Sequence, residues 1–167
     1  MSQDNSVTCD RLREVISYNP TTGAFRWTAR RRGVSLEKAP GRVNGNGYLE
    51  IRIDGRLYQA QRLAWLFMTA EWPAGDVDHR DLNKQNNAWS NLRVATKSQN
   101  QANTALRKSN RSGFKGVFAA SRNPSRWSAQ IRIGGVKRHL GTFDTPELAS
   151  AAYARALAAA HGDFGRI

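Results

Sequence analysis

From Tyr48 to Ile53 the chain alternates. Leu49, Ile51 and Ile53 fall on one side and Tyr48, Glu50 and Arg52 on the other, and Asp54-Gly55 follows where the strand must reverse. A period of two around an Asp-Gly pair predicts a β-hairpin, because the tight turn needs residues that accept positive φ. The period then lengthens. Leu63, Leu66, Phe67 and Ala70 recur at helical intervals and predict a helix that Pro73 ends. Upstream, Leu12 to Trp27 closes on YNPTTGAFRW, a turn at Asn-Pro and Thr-Gly followed by a short strand. Residues 28–47, rich in Arg and Gly, read as loop. Downstream, LRVAT reads as a strand and KSQNQANTAL as a helix.

The last third carries a fuller pattern. FKGVFA, RWSAQIRI and KRHLGTF predict three strands, with turns at Asn123-Pro124 and Gly134-Gly135. In the middle strand Trp127, Ala129, Ile131 and Ile133 share one face, while Ser128, Gln130 and Arg132 share the other. Thr145 is placed as an N-cap, with Pro146 in the first turn and Glu147 near the positive end of the helix dipole. Ala149, Ala152, Tyr153, Ala156, Leu157 and Ala160 form the inward stripe of that helix, and Gly162 stops it. The helix covers one sheet face and leaves the other, polar and basic, for a partner. The polar run Leu106 to Gly113 reads as a linker. The expectation is an α+β chain with an N-terminal domain over residues 1–105, a basic linker over 106–112 and a C-terminal domain over 113–167.

Charge sharpens this picture. The 167 residues carry a net charge of +13, which points to a polyanion, with nucleic acid first. The charge is uneven. Residues 1–100 hold 15 Lys and Arg against 10 Asp and Glu, and residues 101–167 hold 11 against 3. From Thr104 to Leu140 there are nine basic residues and no acidic one, so the basic patch belongs mainly to the C-terminal third. No long apolar run or basic amphipathic helix favours a membrane. The first twenty residues hold no apolar signal core, so a cytoplasmic setting is expected. The lone Cys9 reads as a reduced bystander near a loose terminus, and three histidines with one cysteine make no zinc-finger spacing.

Candidate chemistry lies in VDHRDLNKQNNAWSNLRVATKSQNQAN, residues 77–103. Cutting a phosphodiester needs a proton acceptor for water and stabilisation of charge on the phosphate and leaving oxygen. His79 offers the first. Asp78, next to it, offers a hard oxygen ligand for a divalent cation. Neighbours in a strand point opposite ways, so the two can flank one phosphate only where the strand ends or bends. Asn100, one turn into the following helix, offers a neutral oxygen ligand, and Asn91 can tie the intervening loop through backbone hydrogen bonds. Taken alone, an Asp-His pair would read as an ordinary surface pair. Trp65, Trp72 and Trp89 read as packing residues, and His139 and His161 lack the acidic or cysteine neighbours of a metal site.

The spacing of Asp78-His79, Asn91-Leu92 and Asn100, with GY, RLAW and EWP upstream, resembles the HNH nuclease superfamily, in particular its phage and intron homing-endonuclease branch. The resemblance covers roughly residues 44–104. It implies a ββα-metal fold preceded by the hairpin and helix, with His79 as general base, Asp78 and Asn100 holding one Mg²⁺ or Mn²⁺, and Asn91 ordering the catalytic loop. It departs at Gln61, where relatives often carry His, and at Asn86-Asn87-Ala88, where the loop often reads Asp-Asn-Arg. FKGV, WSAQIRI and LGTFDTPELASAAY resemble the ethylene-response-factor type of DNA-binding domain over residues 112–167. That resemblance implies DNA contacts from Lys115, Gln130, Arg132, Lys137 and His139. It departs at Phe118, where plant relatives place Arg, and at His139, where they place Trp. Together these imply a monomeric, nicking DNA endonuclease acting on double-stranded DNA, without a small-molecule cofactor, of phage or mobile-element origin in a bacterial cell. Two other readings are a DNA-binding protein whose nuclease half is scaffold, and an RNA-binding ribosome-associated protein. The last explains the charge but not the Asp-His-Asn set.

Overall fold

The computed structural model describes residues 7–28, 35–106, 109–121 and 123–164, apart from the side chains of residues 101, 102 and 163. The architecture is α+β and divides into two compact units, Met1–Val94 and Ala95–Ile167. That division falls ahead of the linker expected at 106–112, because the helix at Lys97–Ala102 packs within the second unit. Arg107 and Lys108 of the expected linker lie outside the described residues.

The first unit opens with α1 (Cys9–Val15), capped by Thr8, whose side chain accepts from the Arg11 N–H at 3.2 Å. The sequence pattern had no counterpart for this helix. It buries Leu12 and Val15, and Cys9 is buried in the core beside them rather than lying at a loose end. Strands β1 (Ile16–Tyr18) and β2 (Phe25–Trp27) pair antiparallel around the Asn-Pro-Thr-Thr-Gly turn. A short β3 (Arg42–Val43) pairs with β4 (Leu49–Ile53), which pairs with β5 (Arg56–Gln59). The β4–β5 turn is the two-residue Asp54-Gly55, at φ of 47° and 85°. Both values are positive, as the primed hairpin turn requires.

Helix α2 (Ala60–Thr69) buries Leu63, Ala64 and Leu66 against Leu12, Ile16, Ile51 and Ile53. It ends before Pro73. Ala70 takes the left-handed conformation at φ 61° and donates its N–H to the Leu66 carbonyl at 2.9 Å, so the terminator is a backbone cap rather than the proline. Ala70 is accordingly exposed and leaves the expected apolar face. Then come β6 (Asp76–His79), a 3₁₀ turn at Trp89–Asn91 and β7 (Leu92–Ala95), with β6 and β7 paired. The expected packing role of the tryptophans fits ring pairs Trp65–Trp89 and Tyr58–Trp72, at 4.9 and 5.6 Å between centroids.

The second unit contains α3 (Lys97–Ala102) and an antiparallel sheet of β8 (Val117–Ala120), β9 (Asn123–Ile133) and β10 (Val136–Phe143), with β9 in the middle. Asn123 and Pro124 belong to β9 rather than to a turn, and Ala120 of β8 pairs with Asn123. Helix α4 (Pro146–His161) starts at Thr145, whose hydroxyl accepts from the Leu148 N–H at 3.3 Å. It buries Ala149, Ala152, Tyr153 and Leu157 over Val117, Ala129 and Ile131. Ala156 and Ala160 are half-buried, and Ser150 and His161 are buried in addition. Gly116 permits the approach of Tyr153, since a Cβ there would collide with the Tyr153 ring.

Candidate active site

β6 delivers Asp78 and His79 side by side at its end. The chain then bends into a loop that returns at Asn91, with the Arg80 N–H bonded to the Asn91 carbonyl at 2.9 Å and the Leu82 N–H to the His79 carbonyl at 3.1 Å. Leu82 holds a left-handed φ of 66° in this bend, a conformation costly to a residue with a Cβ unless its surroundings impose it. Asn91 closes the loop with its side chain. Its Nδ2 donates to Asp81 Oδ1 at 2.9 Å and to the Asn86 carbonyl at 2.8 Å, and its Oδ1 accepts from the Asp81 N–H at 3.1 Å. Asn86 Nδ2 adds a bond to Asp81 Oδ2 at 2.7 Å. Partial burial pushes the Asp81 carboxyl up. The bonds from Asn86, Asn91 and the Asn83 backbone outweigh this and hold its pKa below the ordinary value.

His79 is 3% exposed and Asn87 1%. His79 Nε2 lies 3.2 Å from Asn87 Oδ1. Asn87 Nδ2 donates to the Gln85 carbonyl at 3.2 Å, which turns the amide oxygen toward the imidazole. An amide oxygen so placed can accept from Nε2 when that nitrogen carries the ring proton, and the roles in this contact follow the tautomer. Burial lowers the His79 pKa below 6.5. The Asn87 bond and the charges of Asp81 and Asp78 oppose that shift, and Lys84 reinforces it. The Asn87 carbonyl accepts from the Tyr18 hydroxyl at 2.7 Å. Burial pushes that phenol up to about 12 and keeps it a donor. Tyr48 packs beside His79 with ring centroids 6.1 Å apart, and Lys84 Nζ sits 4.7 Å over the Tyr48 ring.

Asp78 pairs with Arg93 on β7. Nε and Nη2 of Arg93 each reach Asp78 Oδ2 at 3.0 Å, and the side chains are 8% and 6% exposed. Buried charge of this kind persists only with a partner. Among the described residues no group of three or more His, Cys, Asp and Glu could cage a metal. Asp78 itself offers hard oxygen donors of the kind that a cation such as Mg²⁺ takes alongside water and phosphate. Asn100 is half-buried on α3, in the second unit, with its N–H bonded to the Thr96 carbonyl at 2.9 Å.

In the sheet of the second unit, Arg132 pairs with Lys137 and Gln130 with His139 across β9 and β10, so these four share one face. Ser128 and exposed Phe118 are paired on that face too, with Ser128 Oγ 3.3 Å from His139 Nδ1. Arg132 Nη1 donates to the Gly135 carbonyl at 3.1 Å, which steadies the guanidinium at the β9–β10 turn. Lys115 is placed differently. β8 starts at Val117, so Lys115 lies in the preceding turn, half-buried, rather than on the expected strand.

Three residues of the first site were not singled out by the sequence: Arg93, Asn87 and Asp81. Arg93 had a visible signal, a lone charge inside the otherwise apolar strand LRVA. Asn87 stands in a run of polar loop residues, and nothing local distinguishes the buried one. Asp81 looks like any turn former.

The HNH endonuclease family model matches residues 58–102, from the end of β5 through α3. Protein 3.8 of Escherichia phage T7 is 33% identical over 90 residues, covering 54% of this chain and 73% of the phage protein. Among solved structures, one of DNA binding and cleavage by the HNH homing endonuclease I-HmuI is similar over 81% of this chain and 75% of that one, with 19% identity and a TM-score of 0.41.

Proposed function

Because the chain belongs to the HNH endonuclease family, we propose that it is a metal-dependent DNA endonuclease that nicks one strand. His79 accepts the proton of the attacking water at Nδ1, and its burial favours the neutral ring that can do so. Asp78 and Asn100 hold a Mg²⁺ or Mn²⁺ ion, which supplies electrostatic stabilisation at the phosphate and leaving oxygen. Arg93 keeps the Asp78 carboxylate oriented, and Asn91 keeps the loop closed around His79. The β9–β10 face acts as the anchor, in the manner of an ethylene-response-factor domain. Its basic side chains bind phosphates of double-stranded DNA, and Gln130 and Arg132 face the base edges. The protein works as a monomer inside a bacterial cell, in a phage or mobile-element setting.

The observation that carries this reading is the buried His79, with Nε2 committed to Asn87, next to Asp78 at the end of one strand. The experiment is conversion of supercoiled plasmid to open circles with Mg²⁺, for the wild type and His79→Ala. The variant should lose on the order of 10²-fold or more in rate while DNA affinity stays within about threefold, since a general base acts on the transition state. Cleavage at the full rate by His79→Ala, or cleavage in excess chelator, would overturn the assignment. A second reading, a DNA-binding protein with a weakened nuclease half, draws on Gln61. It is buried where relatives carry His, and its Oε1 has no hydrogen-bond partner among the described residues. Specific DNA binding without metal-dependent nicking would favour it.

A further inference from the structure

We propose that Asn87 and the β1–β2 hairpin form a positioning device that holds His79 in its Nε2–H tautomer and so presents Nδ1 to the water. The inference rests on the nuclease reading for its purpose, but its structural content can be tested apart from it. Three contacts fasten the hairpin to the loop. The Tyr18 hydroxyl donates to the Asn87 carbonyl at 2.7 Å. The Trp89 N–H donates to the Pro20 carbonyl at 2.8 Å. Gly23, at φ 73°, lies so close that a Cβ would collide with the backbone of Asn87 and Ala88. Asn87 is thus clamped through its main chain while its side chain faces the imidazole.

Direction matters here. A neutral imidazole has one donor and one acceptor, and whatever fixes one nitrogen decides the other. The Gln85 carbonyl takes the Asn87 Nδ2 hydrogen, so the amide cannot rotate to offer N–H to His79 without losing a buried bond. Asn87 thus favours the Nε2–H tautomer without touching the reacting atoms. Asn87 lies in the matched span 58–102, whereas Tyr18, Pro20 and Gly23 lie outside it. The clamp is a feature of the segment that this chain places ahead of the nuclease core.

The test uses the full chain labelled with ¹⁵N-histidine. Long-range ¹H–¹⁵N spectra, recorded where the rings are neutral, report which nitrogen of each histidine bears the proton. The His79 signals are those that His79→Gln removes. The wild type should show His79 as the Nε2–H form. Asn87→Ala, which keeps the carbonyl that Tyr18 bonds, should show a mixture of tautomers. Its kcat for nicking should drop about tenfold or more, with KM within about twofold, because a misoriented base fails in the transition state. Tyr18→Phe keeps the ring in the core and removes only the hydroxyl contact of the clamp. It should shift the tautomer and kcat in the same direction by less, and it carries the test should Asn87→Ala not fold. A wild-type His79 in the Nδ1–H form, or variants with an unchanged tautomer, would overturn the proposal. If the wild type shows the Nε2–H form and nicks no DNA, the nuclease reading falls while the positioning stands.

Discussion

Removing Arg93 should destabilise the first unit by about 3–5 kcal/mol, and part of the loss should be recovered by a change at Asp78. The two side chains are 8% and 6% exposed, and both Arg93 nitrogens reach Oδ2 at 3.0 Å. Arg93→Met preserves much of the packing volume and leaves a buried carboxylate without this cation. Breaking a buried pair from one side costs about 3–5 kcal/mol, because the desolvation of the remaining charge is no longer offset. Two charge-assisted hydrogen bonds at roughly 1.5–3 kcal/mol each give a similar figure. Asp78→Asn in the Arg93→Met background removes the buried charge and should recover about 2 kcal/mol, near the upper range of couplings between residues in contact. Other contacts of either residue cancel in that double-mutant cycle.

Urea unfolding followed by tryptophan fluorescence is the assay. Trp27, Trp65, Trp72 and Trp89, four of the five tryptophans, lie in the first unit, so the signal reports mainly on it. A loss below about 1 kcal/mol in Arg93→Met, or strict additivity of the two substitutions, would refute the claim that this ion pair organises the site.

Three further expectations follow from the geometry. The His79 pKa is lowered below 6.5 by burial, so the unfolded chain takes up the proton first. His79's contribution to stability is complete above pH 6.5 and is lost as pH falls through the folded value. Urea midpoints measured against pH should flatten in His79→Gln, and an unchanged slope would remove His79 as the cause. Asn100→Ala should shift the Mg²⁺ requirement for nicking upward while leaving DNA affinity in gel shifts within about twofold, since a neutral amide ligand aids the metal and not the ground-state complex. Arg132→Ala should relax preference at one or two base positions in a selection from random DNA, at about 1–3 kcal/mol per pair. Lys137→Ala should instead weaken all sequences alike and reduce the salt slope by about one unit. Identical motifs at lower yield from Arg132→Ala would place it among the phosphate contacts.

What the sequence determined by itself are the features governed by neighbours a few residues apart. Asp54-Gly55 makes its own turn, Thr145 caps its own helix three residues on, and the alternation in β9 sorts Ile131 inward and Arg132 outward. Each depends on backbone stereochemistry or strand and helix period, which a short window of residues carries complete. Local rules also have limits. Ala70 ended α2 in a left-handed cap before Pro73 was reached, and Lys115 fell in the turn ahead of β8, where Gly116 at φ 65° lies against the Tyr153 ring. Only the tertiary structure decided the surroundings of the candidate site. Arg93 meets Asp78 across 15 residues, and Tyr18 meets Asn87 across 69. Asn86 and Asn87 are adjacent and of one residue type, so no local rule says which of them is buried. Packing of the hairpin buries one of them against His79, and a buried polar group must then find its partner.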